Sequence, residues 1–167
     1  MPDEIKKLIQ FYRRRGAILD SNLLLLLLVG LLDESLVPNF KRTRNYSVED
    51  FHTLRRAISL FKKICTTPNI LTEVTNLGKF DGKYKQKFAD LMAKNILSME
   101  EHYIESKVVI GSLEFLRFGL TDTINMTVAA KGFLLLTNDA PLASHCREVG
   151  IAVININHLK QLNMGIQ

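Results

Sequence analysis

Cysteine is scarce in this chain. Cys65 and Cys146 are the only two among 167 residues, too few for a disulfide framework and suited to a reducing compartment. Zinc-ligand spacing is missing too: His145, Cys146 and His158 come nearest to it, yet they form neither a C-x₂-C nor an H-x₃₋₅-H pair. No GxxxxGK[ST] loop is present, so P-loop nucleotide hydrolysis is excluded. No internal repeat argues for a solenoid. The opening stretch MPDEIKKLIQFYRRRG lacks the apolar centre and small-residue cleavage site of a secretory signal. The longest apolar run, Leu23–Leu32, is bounded by Asp20 before it and by Asp33 and Glu34 after it. It falls well short of the roughly 20 residues that span hydrocarbon, so it reads as a buried helix. The location expected is the cytoplasm, with no membrane partner.

What is present is an ordinary globular composition, with 47% hydrophobic and 23% charged residues; disorder is excluded. Lys and Arg number 22 against 17 Asp and Glu, a net charge of +5, which leans towards a polyanionic partner. The length suits one domain over 1–167, large enough to bury roughly 70% of its unfolded surface without a metal or disulfide.

Apolar spacing predicts a helix over 3–15, within an N-terminal segment 1–16 that Gly16 can end. Ala17–Leu19 reads as a buried strand closed by Asp20, with Ser21 and Asn22 able to cap the leucine-rich helix. Residues 35–46 carry the turn signals Pro38 and Asn39, and Ser47 with Asp50 forms a capping arrangement before Phe51, Leu54, Ile58, Phe61 and Ile64 recur at helical spacing. The stretch 33–64 thus reads as a basic helical insertion. A short strand at Cys65–Thr67 leads into a helix with Pro68 in first position that ends by Gly78, and 83–99 is a further amphipathic helix. Leu120–Asp122 opens a helix running to Lys131, Phe133–Leu136 is a strand, Pro141 begins a helix ending at Gly150, and Ile151–Ile154 is the last strand. Strands alternating with helices mean βαβ units, so the fold class expected is three-layer α/β with a central parallel sheet.

Ligands of such sheets bind beyond the carboxyl ends of the strands. Asp20 and Asp139 close two strands, and Asp122 and Glu73 lie early in two helices, where Asp122 can stay ionised. Each acid alone is more often a cap, a turn residue or a solvated helix residue. Together they form an ordered pattern, and a hard divalent cation is what makes such crowding tolerable.

These residues carry a resemblance to the PIN-domain nucleases. It lies in Ile18–Asn22 (ILDSN) with the apolar helix after it, Ile70–Val74 (ILTEV), Gly119–Ala130 (GLTDTINMTVAA), Leu134–Leu142 (LLLTNDAPL) and Ile151–Ile156 (IAVINI). The resemblance implies a three-layer α/β/α PIN-like fold and a metal-dependent ribonuclease. Asp20, Glu73, Asp122 and Asp139 would hold Mg²⁺ or Mn²⁺ and cut single-stranded RNA, leaving 5′-phosphate and 3′-hydroxyl ends. Glu100, Glu101 and Glu114 stand as alternatives to Glu73. Ser21 and Asn22 would orient Asp20 or a substrate phosphate, and Thr137 and Asn138 would do the same beside Asp139. Lys41, Arg42, Arg44, Arg55 and Arg56 offer a track for the RNA backbone. Many relatives are toxins of the virulence-associated-protein-C type, so a protein antitoxin and a second copy of the chain join RNA as expected partners. The helix 3–15 and the lengths of 33–64 and 79–106 depart from a minimal toxin. Aspartyl-phosphate chemistry fits poorly, because Asn22 stands where a haloacid-dehalogenase-like phosphatase needs a second Asp, and Leu19 where a receiver domain wants an acid. The competing reading is a catalytically inactive PIN-fold binding or assembly module.

Overall fold

The computed structural model describes residues 2–163. Its elements run α1 (Pro2–Tyr12), β1 (Ala17–Leu19), α2 (Ser21–Leu32), a 3₁₀ turn (Glu34–Leu36), α3 (Val48–Ser59), β2 (Ile64–Thr66), α4 (Pro68–Leu77), α5 (Lys83–Ile96), β3 (Glu100–Glu101), a second 3₁₀ turn (Ser106–Val108), α6 (Leu113–Ala130), β4 (Leu134–Thr137), α7 (Ala140–Glu148), β5 (Val153–Asn155) and α8 (Ile156–Asn163). The five strands form one all-parallel sheet in the order β3-β2-β1-β4-β5. Strand β1 is central and buried throughout, pairing Ala17 with both Ile64 and Leu134.

Right-handed crossovers decide the layers. The chain moves one way from β1 to β2 to β3, then returns over the sheet to β4 and β5. Helices α2–α5 therefore cover one face, and α6 and α7 the other. Contacts agree: α2 packs on α3, α4 and α5, while α6 lies on β1, β4 and α7. The expected three-layer α/β/α architecture is the one observed. Among the described residues, no helix is long and apolar enough to cross a membrane.

The leucine-rich helix α2 is the core of the first layer, with Leu23–Gly30 wholly buried. Gly30 is required there. A Cβ at this position would stand 2.2 Å from the Phe51 ring, so the absence of a side chain lets α3 approach α2. In α3, Ser47 and Asp50 form the anticipated capping box. Thr67 caps α4, whose first turn contains Pro68, as expected from the sequence.

Several boundaries differ from the sequence expectation. The first helix stops at Tyr12 rather than 15, and Gly16, at φ 106°, turns the chain into β1. Asp20, not Ser21 or Asn22, is the N-cap of α2. The helix expected over 83–99 ends at Ile96. Strand β4 begins one residue late, and β5 covers Val153–Asn155 instead of Ile151–Ile154. The helix expected from Leu120 is preceded by another turn and a half, joined to it through Gly119 at φ 81°. Strand β3 and helix α8 were not anticipated. A two-residue acidic edge strand has no apolar alternation to give it away, and α8 follows β5 without a loop.

Candidate metal centre

The strand order reverses between β1 and β4, and a crevice opens where crossovers leave in opposite directions. Asp20 follows β1 and the Thr137-Asn138-Asp139 turn closes β4, so both reach the same crevice. The Asp20 N–H donates to the Leu136 carbonyl at 3.0 Å, which ties the two strand ends together. Helix α6 contributes Asp122 because the backbone breaks at Gly119 and restarts, leaving Asp122 near the new N-terminus. Here the helix dipole favours a carboxylate. Helix α4 contributes Glu73, whose Oε1 accepts a short hydrogen bond from the Thr121 hydroxyl.

Asp20 is buried, and its carboxylate is held from both sides. Oδ1 accepts the Leu23 N–H at 2.7 Å; Oδ2 accepts the Thr137 hydroxyl at 2.5 Å and the Asn138 N–H at 3.1 Å. Burial raises its pKa, these three bonds oppose the rise, and Asp139 adds to it. The Thr137 oxygen in turn accepts the Asp139 N–H at 2.9 Å, so one hydroxyl joins both acids. Asp139 is exposed and caps α7, its Oδ1 accepting the Leu142 N–H at 2.8 Å. Two of the acids are therefore helix caps as well, and the cap bonds aim them. A carboxylate has roughly four acceptor positions, so neither is saturated by its cap.

Asp122 carries the electrostatic signature of the site. Its carboxyl is pushed up to about 7, first by burial and then by the negative charges of Asp20, Glu73 and Asp139. Asp20, Glu73 and Asp139 thus all act on Asp122, and Asp139 acts on Asp20. Glu100, Glu101 and Glu114 do not join them. Glu100 pairs with Lys63 and His102 on the sheet edge, Glu101 is exposed beside it, and Glu114 meets His145 at 3.3 Å.

The supporting residues divide. Thr137 and the Asn138 backbone serve Asp20, while the buried Ser21 Oγ has no partner and Asn22 is exposed. The Asn138 side chain accepts from Asn157 Nδ2 at 3.1 Å. Tyr46 was missed by sequence reasoning. Its phenol hydrogen-bonds Asn138, and burial, then the charges of Asp20 and Asp50, raise its pKa to about 12. The signal available was an aromatic residue set among Lys41, Arg42 and Arg44. Those three cations are exposed; Arg55 is exposed on α3, and Arg56 is engaged with Glu49 at 2.7 Å.

The donor set is all oxygen, which fits a hard cation such as Mg²⁺ or Mn²⁺. A carboxyl pushed up by burial and by three other negative charges fits a cation better than a neutral ligand. The acids are set more loosely than a closed cage: among the described residues, only Cys65, Glu100 and His102 bring three ligand atoms within 4.8 Å of one another. Mg²⁺ commonly keeps several waters, so wide spacing suits it. His145, Cys146 and His158 form no such group among the described residues. An apolar cavity of about 610 Å³ lies elsewhere, between α1 and β5, and touches none of the four acids. Searches against protein-family models, curated proteins and solved structures find no match to this chain.

Proposed function

We propose that the chain is a PIN-type, metal-dependent ribonuclease that hydrolyses phosphodiester bonds of single-stranded RNA. The observation that supports this reading is the convergence of the Asp20, Glu73 and Asp139 charges on Asp122, from four separate segments near the switch point of a parallel sheet. Bound Mg²⁺ or Mn²⁺ would neutralise the crowd, polarise a phosphoryl oxygen and make water a better nucleophile near neutral pH. The protein's part is positional. Thr137, Asn138 and Leu23 fix the Asp20 carboxylate, Thr121 fixes Glu73, and the cap of α7 fixes Asp139. A carboxylate in the crevice takes the proton of the attacking water, so no histidine is needed. Lys41, Arg42 and Arg44 lie on the loop that leads to Tyr46, and this basic approach supports an RNA backbone as the polyanion. A toxin role with a protein antitoxin, and a second copy of the chain as partner, extend the same proposal.

The test is cleavage of end-labelled single-stranded RNA with Mn²⁺, with Mg²⁺ and with chelator. Cleavage that needs the metal and falls at least 100-fold in Asp139→Asn and Asp122→Asn supports the reading. Folded variants that cut like the parent refute it. An inactive binding module would instead bind RNA with no cleavage under any metal.

A further inference from the structure

A second cluster lies on the β2–β3 edge, to one side of the β1–β4 crevice that holds the acids. Cys65 and Glu100 are register partners across β2 and β3, and His102 follows two residues after Glu100. The His102 N–H donates to the Thr66 carbonyl at 2.9 Å, which fixes the backbone just beyond the strand. Side chains two apart on an extended strand share a face, so Cys65, Glu100 and His102 converge, with their ligand atoms all within 4.8 Å. His102 Nε2 is already 2.9 Å from Glu100 Oε1. Around them, the His102 ring meets Phe133 edge-on at 4.8 Å, and Lys63 Nζ lies 5.3 Å from the same ring. Lys63 and Phe133 immediately precede β2 and β4, whereas Asp20 and Asp139 follow β1 and β4. Cys65 and Glu100 lie on β2 and β3 at the sheet edge, whereas the acidic crevice lies between β1 and β4, so the two clusters are separated across the strands.

We infer that Cys65, Glu100 and His102 form a three-ligand site for a zinc-class transition metal ion. A thiolate, an imidazole and a carboxylate are the donors that Zn²⁺ accepts, and Mg²⁺ does not compete for a thiolate. Tetrahedral bonds of the usual lengths put ligand atoms about 3.3–3.6 Å apart, so side-chain adjustments of about an ångström close the set. Lys63 does not block it. Its ammonium sits 2.6 Å from Glu100 Oε2 and leaves Oε1 to the ion, holding the carboxylate as an outer partner should. The two anionic ligands balance the two charges of the ion. Binding forms the metal–sulfur, metal–nitrogen and metal–oxygen bonds and releases the Cys65 thiol proton to solvent, with His102 neutral and carrying its remaining proton on Nδ1. A bound ion would staple the two-residue strand β3 to β2, and three protein ligands leave its fourth position open.

Cobalt(II) tests this, because a thiolate ligand gives it a charge-transfer absorption that carboxylates do not. Titrating Co²⁺ into the reduced, metal-stripped full chain is expected to develop that band at one equivalent per chain, and Zn²⁺ is expected to bleach it. Cys65→Ser should abolish the band and His102→Ala should weaken Co²⁺ binding at least tenfold. Asp122→Asn should leave both unchanged, which separates this site from the acidic crevice. With Asp122→Asn present to disable the acidic crevice, Zn²⁺ should still raise the melting temperature and adding His102→Ala should cancel that rise, a readout that stands even if Cys65→Ser fails to fold. The inference is overturned if no band develops, if it survives in Cys65→Ser and so belongs to Cys146, or if His102→Ala binds like the parent.

Discussion

Replacing Asp122 with Asn tests the crowding of the crevice without reference to any reaction. The Asp122 carboxyl titrates near 7 in the folded protein, against the ordinary 3.8. Below about pH 4 folded and unfolded chains both hold the proton, and the carboxyl costs nothing. Between about pH 4 and 7 the unfolded chain ionises while the folded one stays protonated, so stability falls as pH rises. Above about pH 7 the penalty is complete. About three pH units at 1.36 kcal/mol each give at most about 4 kcal/mol. An Asn side chain has no charge to bury or repel, so Asp122→Asn should match the parent at pH 4. At pH 8 it should exceed it by up to about 4 kcal/mol, less about 0.3–1 kcal/mol for the lost interaction with the helix dipole. Urea denaturation of both proteins between pH 4 and 8.5 reads the difference directly, and in melting it corresponds to roughly 10 °C at the alkaline end. A parent–variant gap that stays within about 0.5 kcal/mol over that range would refute the reasoning. Mn²⁺ at pH 8 should close the gap by stabilising the parent more than the variant.

Asp139→Asn should retain the α7 cap, since Asn caps as well as Asp, so its melting temperature should stay within about 3 °C of the parent while metal-dependent RNA cleavage is lost. Asp20→Asn is less clean. Its new amide would face the Asn138 N–H that Oδ2 now accepts, and losing that charge-assisted bond should cost about 1–3 kcal/mol in denaturant titrations, against some relief of repulsion. An Asp20→Asn protein as stable as the parent would contradict this geometry. Gly30→Ala should lose about 1–3 kcal/mol by driving a methyl group into the Phe51 ring, and Phe51→Leu in the same chain should recover part of it. Additive losses in that double variant would count against the contact.

The layers and most elements were legible because they rest on local signals. Thr67 with Pro68, and Ser47 with Asp50, mark helix starts through caps that need only neighbouring residues. The acids Asp20 and Asp139 were legible because strand ends can be read from apolar runs. Less local information was hidden. That Asp20 is oriented from β4 and not by Ser21 depends on strand pairing across more than a hundred residues. Tyr46 reaches Asn138 through a loop whose path no periodicity encodes, and Cys65 and Glu100 meet only because β3 adds to the sheet edge. At Gly119 the boundary expected before Leu120 is real, since its positive φ breaks the backbone there; what no local signal announced is the short helical piece over 113–118 that precedes it.

The Thr137 hydroxyl, shared between the two aspartates, also sets a timetable for biosynthesis. A chain leaving the ribosome exposes Asp20 long before β4 exists, and until then that carboxylate has only the local Leu23 N–H as a partner. The donors that fix it arrive with Thr137 and Asn138, in the same few residues that bring Asp139. The crevice is thus completed in a single late event. A truncated or still-growing chain that stops short of β4 carries three of the four acids without the Thr137 and Asn138 donors that fix Asp20.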